Sequence, residues 1–238
     1  MRKKIKEENK IDYISFTAHQ LKSPLSAIKL SLEMFLRGDF GEITEEQKEI
    51  VKKTLKKSEM LIVLVNDLIN IAKTDNGGHS YDFKPVDVEE LVISLINLVE
   101  EDIKNKKIKL EFHKSKINLP KIAIDREKIY LALQNVVDNA IKYTPKGGNI
   151  NISIDFNSEN IEFRIQDSGI GIPESQKKKL FSKFFRSENA IKTEFSGSGL
   201  GLFIVKNIIE AHKGKIWFES QEGNGSTFFI SLPIRQKS

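Results

Sequence analysis

Asn135, Asn139 and Lys142 stand in the stretch Asn135-Val-Val-Asp-Asn139-Ala-Ile-Lys142-Tyr143 at the spacing of one helix face. At about 100° per residue a helix gathers all three within a ~60° sector, a polar stripe of two amides and one ammonium. Ile129, Leu133, Val136 and Ala140 recur on another face and can anchor that helix in a core. The stripe is then left to face solvent or a ligand. Amide carbonyls suit Mg2+, and an ammonium suits a phosphate.

Two glycine-rich loops follow downstream. Asp167-Ser-Gly169-Ile-Gly171-Ile172-Pro173 comes directly after the strand-like run Ile161-Glu-Phe-Arg-Ile165, and Gly197-Ser-Gly199-Leu200-Gly201 leads into a helical pattern of Leu202, Val205, Ile209 and His212. Glycine lets backbone approach a ligand closely, and amides at a helix N-terminus bind phosphate. The second loop is not a Rossmann fingerprint, because position 202 is Leu and a polar loop precedes it. A P-loop is absent too, since no glycine is followed by Lys-Ser or Lys-Thr at the required spacing.

The amide helix, the Asp-x-Gly-x-Gly loop, the aromatic cluster Phe181-Ser-Lys-Phe184-Phe185-Arg186 and the Gly-x-Gly-Leu-Gly loop resemble, in that order, the N, G1, F and G2 boxes of sensor histidine kinases. Upstream, Phe16-Thr-Ala-His19-Gln20-Leu-Lys22-Ser23-Pro24-Leu25 resembles the H box of the same family, which carries the phosphoaccepting histidine. The resemblance implies a helical hairpin that dimerises as a four-helix bundle, followed by an α/β sandwich ATP-binding domain of the fold shared with gyrase-type ATPases. It also implies ATP and Mg2+ as cofactors, phosphorylation of His19, and onward transfer to an aspartate on the receiver domain of a response regulator docked near His19.

Carried over residue by residue, Asp167 accepts a hydrogen bond from the adenine amino group, Gly169 and Gly171 let backbone pass the base, and Ile172 offers it an apolar surface. Asn139 coordinates Mg2+, and Asn135 supplies a second contact directly or through water. Lys142 binds phosphate oxygens, Tyr143 packs near the nucleotide, Gly197, Gly199, Leu200 and Gly201 present backbone to the phosphates, and Arg186 reaches them. Gyrase-type ATPases carry a water-activating Glu where this helix has Asn135, so hydrolysis by water lacks its general base.

A neutral imidazole offers a ring lone pair to the γ-phosphorus without prior activation. Here the chain departs from the commonest H box, which places Glu or Asp after the histidine; Gln20 cannot take a proton near neutrality. Ser23 stands where the family commonly has the Thr or Asn that positions water for dephosphorylating the regulator. Gln20 is also the one hint of an alternative, a nucleotide-binding scaffold or phosphatase-dominant module with weak kinase activity.

The elements that must position these groups are legible as patterns. From Ile14, apolar residues run Ala18, Leu21, Leu25, Ile28, Leu32 and Phe35 in four-three alternation, a coiled-coil seam, with Pro24 expected to kink the helix. Gly38-Asp-Phe-Gly41 breaks it, and Thr44-Glu-Glu-Gln47 is a capping box for the next helix. That helix shows adjacent apolar pairs, Leu61/Ile62, Leu64/Val65, Leu68/Ile69 and Ile71/Ala72, a stripe wide enough to need more than one partner. Asp75-Asn-Gly-Gly78 ends it. The expected domains are residues 1–75 for dimerisation and phosphotransfer, a linker at 76–84, and 85–238 for ATP binding. Within the last, the patterns predict helices 87–105, 126–143 and 200–212 and strands 108–112, 149–155, 161–166, 215–219 and 226–232, as a mixed sheet covered by helices on one face. The polar stretch between Phe185 and Gly197 reads as a mobile lid.

The 238 residues hold no cysteine, which excludes disulfides and thiolate metal sites and fits a reducing cytosol. No apolar run approaches the ~18 residues of a membrane span, and the start Met-Arg-Lys-Lys-Ile-Lys lacks an apolar signal core. The chain reads as soluble and cytoplasmic, a catalytic core whose membrane attachment, if any, comes from segments outside it. The net charge of +5 is spread among interspersed Lys and Glu and shows no basic stripe with aromatics, so nucleic acid is not an expected partner.

Overall fold

In the computed structural model of the chain, residues 2–75, 81–115, 119–193 and 197–235 are described. They divide into two compact units, one built from residues 1–79 and 196–198 and the other from 80–195 and 199–238. The first is a hairpin of α1 (Arg2–Arg37) and α2 (Glu45–Asp75). Helix α1 runs through Pro24 and stops where Gly38, at φ 83°, lets the chain turn left-handed. There Asp39 N–H donates to Met34 O at 3.1 Å and Gly38 N–H to Phe35 O at 3.2 Å, a Schellman ending that pairs two orphan carbonyls. The capping box forms as expected: Gln47 N–H donates to Thr44 Oγ1 at 3.2 Å and Thr44 N–H to Gln47 Oε1 at 2.9 Å.

The apolar seam of α1 is not all used by the hairpin. Leu25 and Leu32 are half-buried, whereas Leu21, Ile28 and Phe35 are 48, 48 and 41% exposed. On α2, Ser58 and Val65 are buried, with Ser58 Oγ donating to Leu25 O at 3.4 Å, while Leu61 and Val63 are each 48% exposed. The side chains of Ile14, Ala18, Leu68, Ile71 and Ala72 lie outside the described residues, as do residues 76–80 of the expected linker.

The second unit begins with β1 (Lys84–Val86), which pairs antiparallel with β3 (Ile122–Ile124) in a small two-stranded sheet. Three-residue strands leave no periodic signal, and neither was anticipated from the sequence. The expected helix 87–105 is two helices, α3 (Val88–Leu98) and α4 (Glu100–Lys106), because Val99 leaves helical geometry at φ −94°, ψ 5°. The break sets Glu100, Glu101 and Asp102 at a new helix N-terminus, where negative charge is favoured. Helix α5 (Arg126–Tyr143) falls at its predicted boundaries, and α7 spans Gly201–Ala211.

The main sheet joins β2 (Lys109–His113), β4 (Asn149–Phe156), β5 (Asn160–Asp167), β7 (Ser226–Pro233) and β6 (Lys215–Ser220) in the spatial order β2-β4-β5-β7-β6. Only β2 and β4 are parallel, so the sheet is mixed, as expected. Helix α5 packs on β5, α7 on β6 and β7, and α3 and α7 both pack against α5. Period-two alternation puts Ile150, Ile152 and Ile154 of β4, Ile161, Phe163 and Ile165 of β5, and Phe228, Ile230 and Leu232 of β7 in this core. The opposite face is open; there Trp217 and Phe229 stack at 5.2 Å.

Candidate functional site

Helix α5 begins at Asp125, whose carboxylate accepts from Lys128 N–H at 3.1 Å, an N-cap worth about 1 kcal/mol. It ends after Tyr143 because Pro145 disfavours helical geometry in the residue before it, and Thr144 is extended at φ −76°, ψ 128°. Ile129, Ala132, Leu133, Val136, Val137, Ala140 and Ile141 are buried on one side. Asn135, Asn139, Lys142 and Tyr143 are half-buried, as the stripe requires. The Asn135 amide donates back to Leu131 O at 2.9 Å, which leaves its oxygen against Gly201, the first residue of α7. The Lys142 ammonium lies 5.5 Å from the Tyr143 ring centre.

Asp167 occupies the last inward position of β5, continuing the row Ile161, Phe163, Ile165, and is only 8% exposed. A carboxylate in a core register is poorly hydrated, and burial raises its pKa to about 6 despite hydrogen bonds from Gly169 N–H at 2.8 Å and Ser226 N–H at 3.3 Å. Both bonds fall on Oδ1. Sequence reasoning named Asp167 but missed what holds it, the turn Gln221–Gly225 between β6 and β7. Ser220 Oγ, paired with Ser226 Oγ at 2.9 Å, donates to Gly225 O at 2.9 Å and accepts from Ile172 N–H at 2.9 Å, tying that turn to the Asp167 loop. The signal that could have found it is Gly223-Asn-Gly225, a third glycine pair placed just before a strand.

The glycines are the points where separate segments meet. A Cβ on Gly169 would stand 2.8 Å from Tyr143 O, one on Gly201 would stand 2.7 Å from Asn135 Oδ1, and one on Gly199 would stand 2.7 Å from the Phe184 carbonyl carbon. Gly171, at φ 61°, abuts Gln221 O, and Ile172 is buried beside it. Gly197 and Gly199 have φ of 145° and 71°, and Leu200 is fully buried. Helix α7 has no side-chain cap hydrogen bond from Leu200 and no acidic residue in its first turn, so no carboxylate competes with an anion for the positive pole of its dipole.

The chain between the two loops carries local structure of its own. A 3-10 turn at Glu174–Lys179 and a short helix, α6 (Glu188–Thr193), are fastened to the Asp167 loop. Asn189 Nδ2 donates to Gly171 O at 2.9 Å, and Gln176 Oε1 accepts from Glu188 N–H at 3.0 Å. Residues 194–196 of the expected lid lie outside the described residues. Phe181 meets Phe218 edge-on at 5.8 Å, Phe185 is half-buried, and Phe184 is 63% exposed with φ 62°. Arg186 turns toward α6, where its guanidinium donates to Ala190 O at 3.3 Å.

On α1, Gln20 and Ser23 are exposed; the side chain of His19, which sits in the same helix, lies outside the described residues. Among the described residues no group of three or more His, Cys, Asp or Glu could hold a metal ion, and no helix is long and apolar enough to cross a membrane.

Residues 124–236 match the family of histidine kinase-, DNA gyrase B- and HSP90-like ATPases, and residues 9–77 match the His kinase A (phospho-acceptor) domain. The chain is 32% identical over 241 residues to the sensor histidine kinase WalK of Bacillus subtilis (strain 168), covering 97% of this chain and 38% of that protein. The curated relatives compared are longer, and the chain spans between 30 and 54% of their lengths. The catalytic domain of histidine kinase ThkA is 34% identical over 64% of this chain and 97% of that one, with a TM-score of 0.57. ThkA in complex with the response regulator protein TrrA shares the fold across 98% of this chain and 66% of that one, at 24% identity and a TM-score of 0.67.

Proposed function

Because the chain belongs to the sensor histidine kinase family, we propose that it moves the γ-phosphoryl group of ATP to His19 and then to an aspartate of a response regulator. The observation that carries this reading is the convergence, through glycines that leave no room for a Cβ, of Tyr143 with Gly169, Asn135 with Gly201 and Phe184 with Gly199. Ordinary turns have no reason to bring an amide helix, a buried carboxylate and an uncapped helix N-terminus together.

In the proposed reaction Asp167 holds the adenine amino group, Ile172 faces the base, and the α7 N-terminus and Lys142 neutralise the phosphates. A His19 ring nitrogen attacks the γ-phosphorus, the bond to the bridging oxygen breaks, and ADP leaves with the electron pair. Asn139, with Asn135 beside it, would hold Mg2+. One or two amide oxygens without a carboxylate cluster suit an ion that arrives with the phosphates and keeps its waters. Bound there, Mg2+ supplies charge neutralisation across the phosphates. Arg186, engaged with Ala190 O, bears on lid placement before any phosphate contact. The receiver domain is the partner chemistry requires, and ThkA, of the same fold, was solved with a response regulator bound. Ser23 stands ready on the exposed face of α1 to position the water that hydrolyses the regulator's aspartyl phosphate. The reaction is set in the cytoplasm, where ATP and reduced proteins are found. Incubating the purified chain with γ-labelled ATP and Mg2+ tests the proposal: acid-labile, base-stable label supports it, and unlabelled protein under saturating ATP overturns it.

Gln20 makes a second measurement informative. Gln20→Glu restores a proton acceptor beside the nucleophile and raises the autophosphorylation rate by at most about 10²-fold, with ATP affinity unmoved. An unchanged or lower rate would mean that proton removal does not limit this kinase.

The exposed row Leu21, Ile28, Phe35 on α1, with Leu61 on α2, is the surface we assign to a second copy of the chain. Ile28 is 48% exposed, so covering the rest of it contributes about 1 kcal/mol per copy. Ile28→Glu replaces that gain with a charge, so sedimentation of the full chain at micromolar concentration shifts from dimer to monomer. Identical sedimentation of variant and wild type would move the interface elsewhere.

A further inference from the structure

We propose that Lys106 positions the phosphate end of the nucleotide site by capping the C-terminus of α5 and offsetting its negative pole. The proposal rests on the reading that Lys142 faces the phosphates of ATP. Lys106 is the last residue of α4 and belongs to none of the motifs that suggested nucleotide binding. Directly after it Lys107 turns left-handed at φ 52°, and Ile108 N–H donates to Ile103 O at 3.0 Å, closing α4. The Lys106 side chain crosses instead to α5, where its ammonium donates to Ile141 O and Lys142 O, each at 2.8 Å, and to Thr144 O at 3.4 Å. The backbone follows: Gly147 N–H donates to Lys106 O at 3.0 Å and Lys109 N–H to Gly148 O at 2.9 Å. Residues 106–109 thus grip the whole turn that follows α5.

The grip answers two problems of that helix end. The last four carbonyls of a helix have no intrahelical donor, and Pro145 stops α5 before a glycine-type ending can form; only Thr144 N–H, on Ala140 O at 3.0 Å, continues the ladder. The carbonyls of Ile141 and Lys142 therefore depend on a donor from outside, and an ammonium, with three N–H groups, meets three carbonyls. The second problem is electrostatic. A helix C-terminus carries roughly half a negative charge and is the wrong end for an anion, yet Lys142 lies in this last turn. A second cation on those carbonyls removes the opposing field and holds the turn that aims Lys142 and Tyr143.

The test separates phosphate from adenine recognition in the full chain. Titration calorimetry with ATP and with adenosine, alongside thermal melting, is run on wild type, Lys106→Met, Lys106→Gln and Lys106→Arg. Lys106→Met, similar in length but without charge or donors, binds ATP about fivefold to tenfold more weakly, while adenosine, held at Asp167, changes by less than about twofold. Lys106→Arg keeps ATP within about threefold of wild type, since charge and donors persist. If Lys106→Met fails to fold, Lys106→Gln carries the same comparison, because its amide donates without charge. ATP binding at the wild-type level in the folded neutral variant overturns the proposal. So does a parallel loss of ATP and adenosine, which assigns Lys106 to stability alone. A wild-type chain that binds neither nucleotide overturns the proposed function, and this inference with it, before any variant is compared.

Discussion

His19→Ala gives no stable phosphate label with γ-labelled ATP and Mg2+, while ATP affinity stays within about twofold of wild type. The loss is complete because the step consists of one ring lone pair meeting one phosphorus; positioning and charge neutralisation in the nucleotide unit have nothing to act upon without it. Affinity persists because residue 19 lies in the helical unit, whereas Asp167, Lys142 and α7 belong to the other. Binding by calorimetry and labelling by gel, on the same preparations, check both halves. Acid-labile label on the variant would mean that another of the four histidines accepts the phosphoryl group. His212 is a poor candidate, being fully buried, with Nδ1 against Ile208 O at 2.8 Å and Nε2 accepting from Asp125 N–H at 3.0 Å. Burial lowers its pKa as well, so it is neutral but inaccessible.

Asp167→Asn weakens ATP binding by about 10²-fold, as expected when a buried charged acceptor that pairs the adenine amino group is lost. The same substitution raises stability at neutral pH. A carboxyl whose folded pKa of about 6 exceeds its ordinary 3.8 contributes stability that is fully present below 3.8 and lost as pH rises through 6. The amide escapes that loss, on the order of 1–3 kcal/mol, and its oxygen can still accept from Gly169 and Ser226. Nucleotide binding runs the opposite way. It needs the carboxylate, so ATP affinity is constant above about pH 7 and falls by up to about tenfold per unit below the pKa of about 6. Asp138, though exposed at the surface, has its pKa raised to about 6 as well, by partial desolvation and by the nearby Asp102 carboxylate, and titrates in the same window. Asp138→Asn should therefore keep the pH profile of ATP binding, and Asp167→Asn should flatten it. A profile unchanged by Asp167→Asn would place adenine recognition elsewhere.

The sequence alone determined the elements whose signals are local and repeated. Helix α5 appears at its predicted ends because Asp125, the apolar period and Pro145 each act within a few residues. The capping box at Thr44–Gln47 and the strands β4 to β7 are legible for the same reason, with strand boundaries extended by a residue at one or both ends. The polar stripe of Asn135, Asn139 and Lys142 and the glycines after Asp167 were visible because packing has no use for amides in a row or for backbone without side chains. Tertiary structure decided what rests on partners distant in the chain. Strands β1 and β3 exist only through each other, thirty-odd residues apart and too short for a period. The break at Val99 was hidden because apolar spacing continues across it. Asp167 is a perturbed acid only because β5 carries it into the core and the Gln221–Gly225 turn closes over it, and no local pattern encodes burial. Lys106 reads in sequence as one more lysine in a solvated run. Its three carbonyl partners lie some thirty-five residues downstream, brought to it when the α4 end and the α5 end fold against one another.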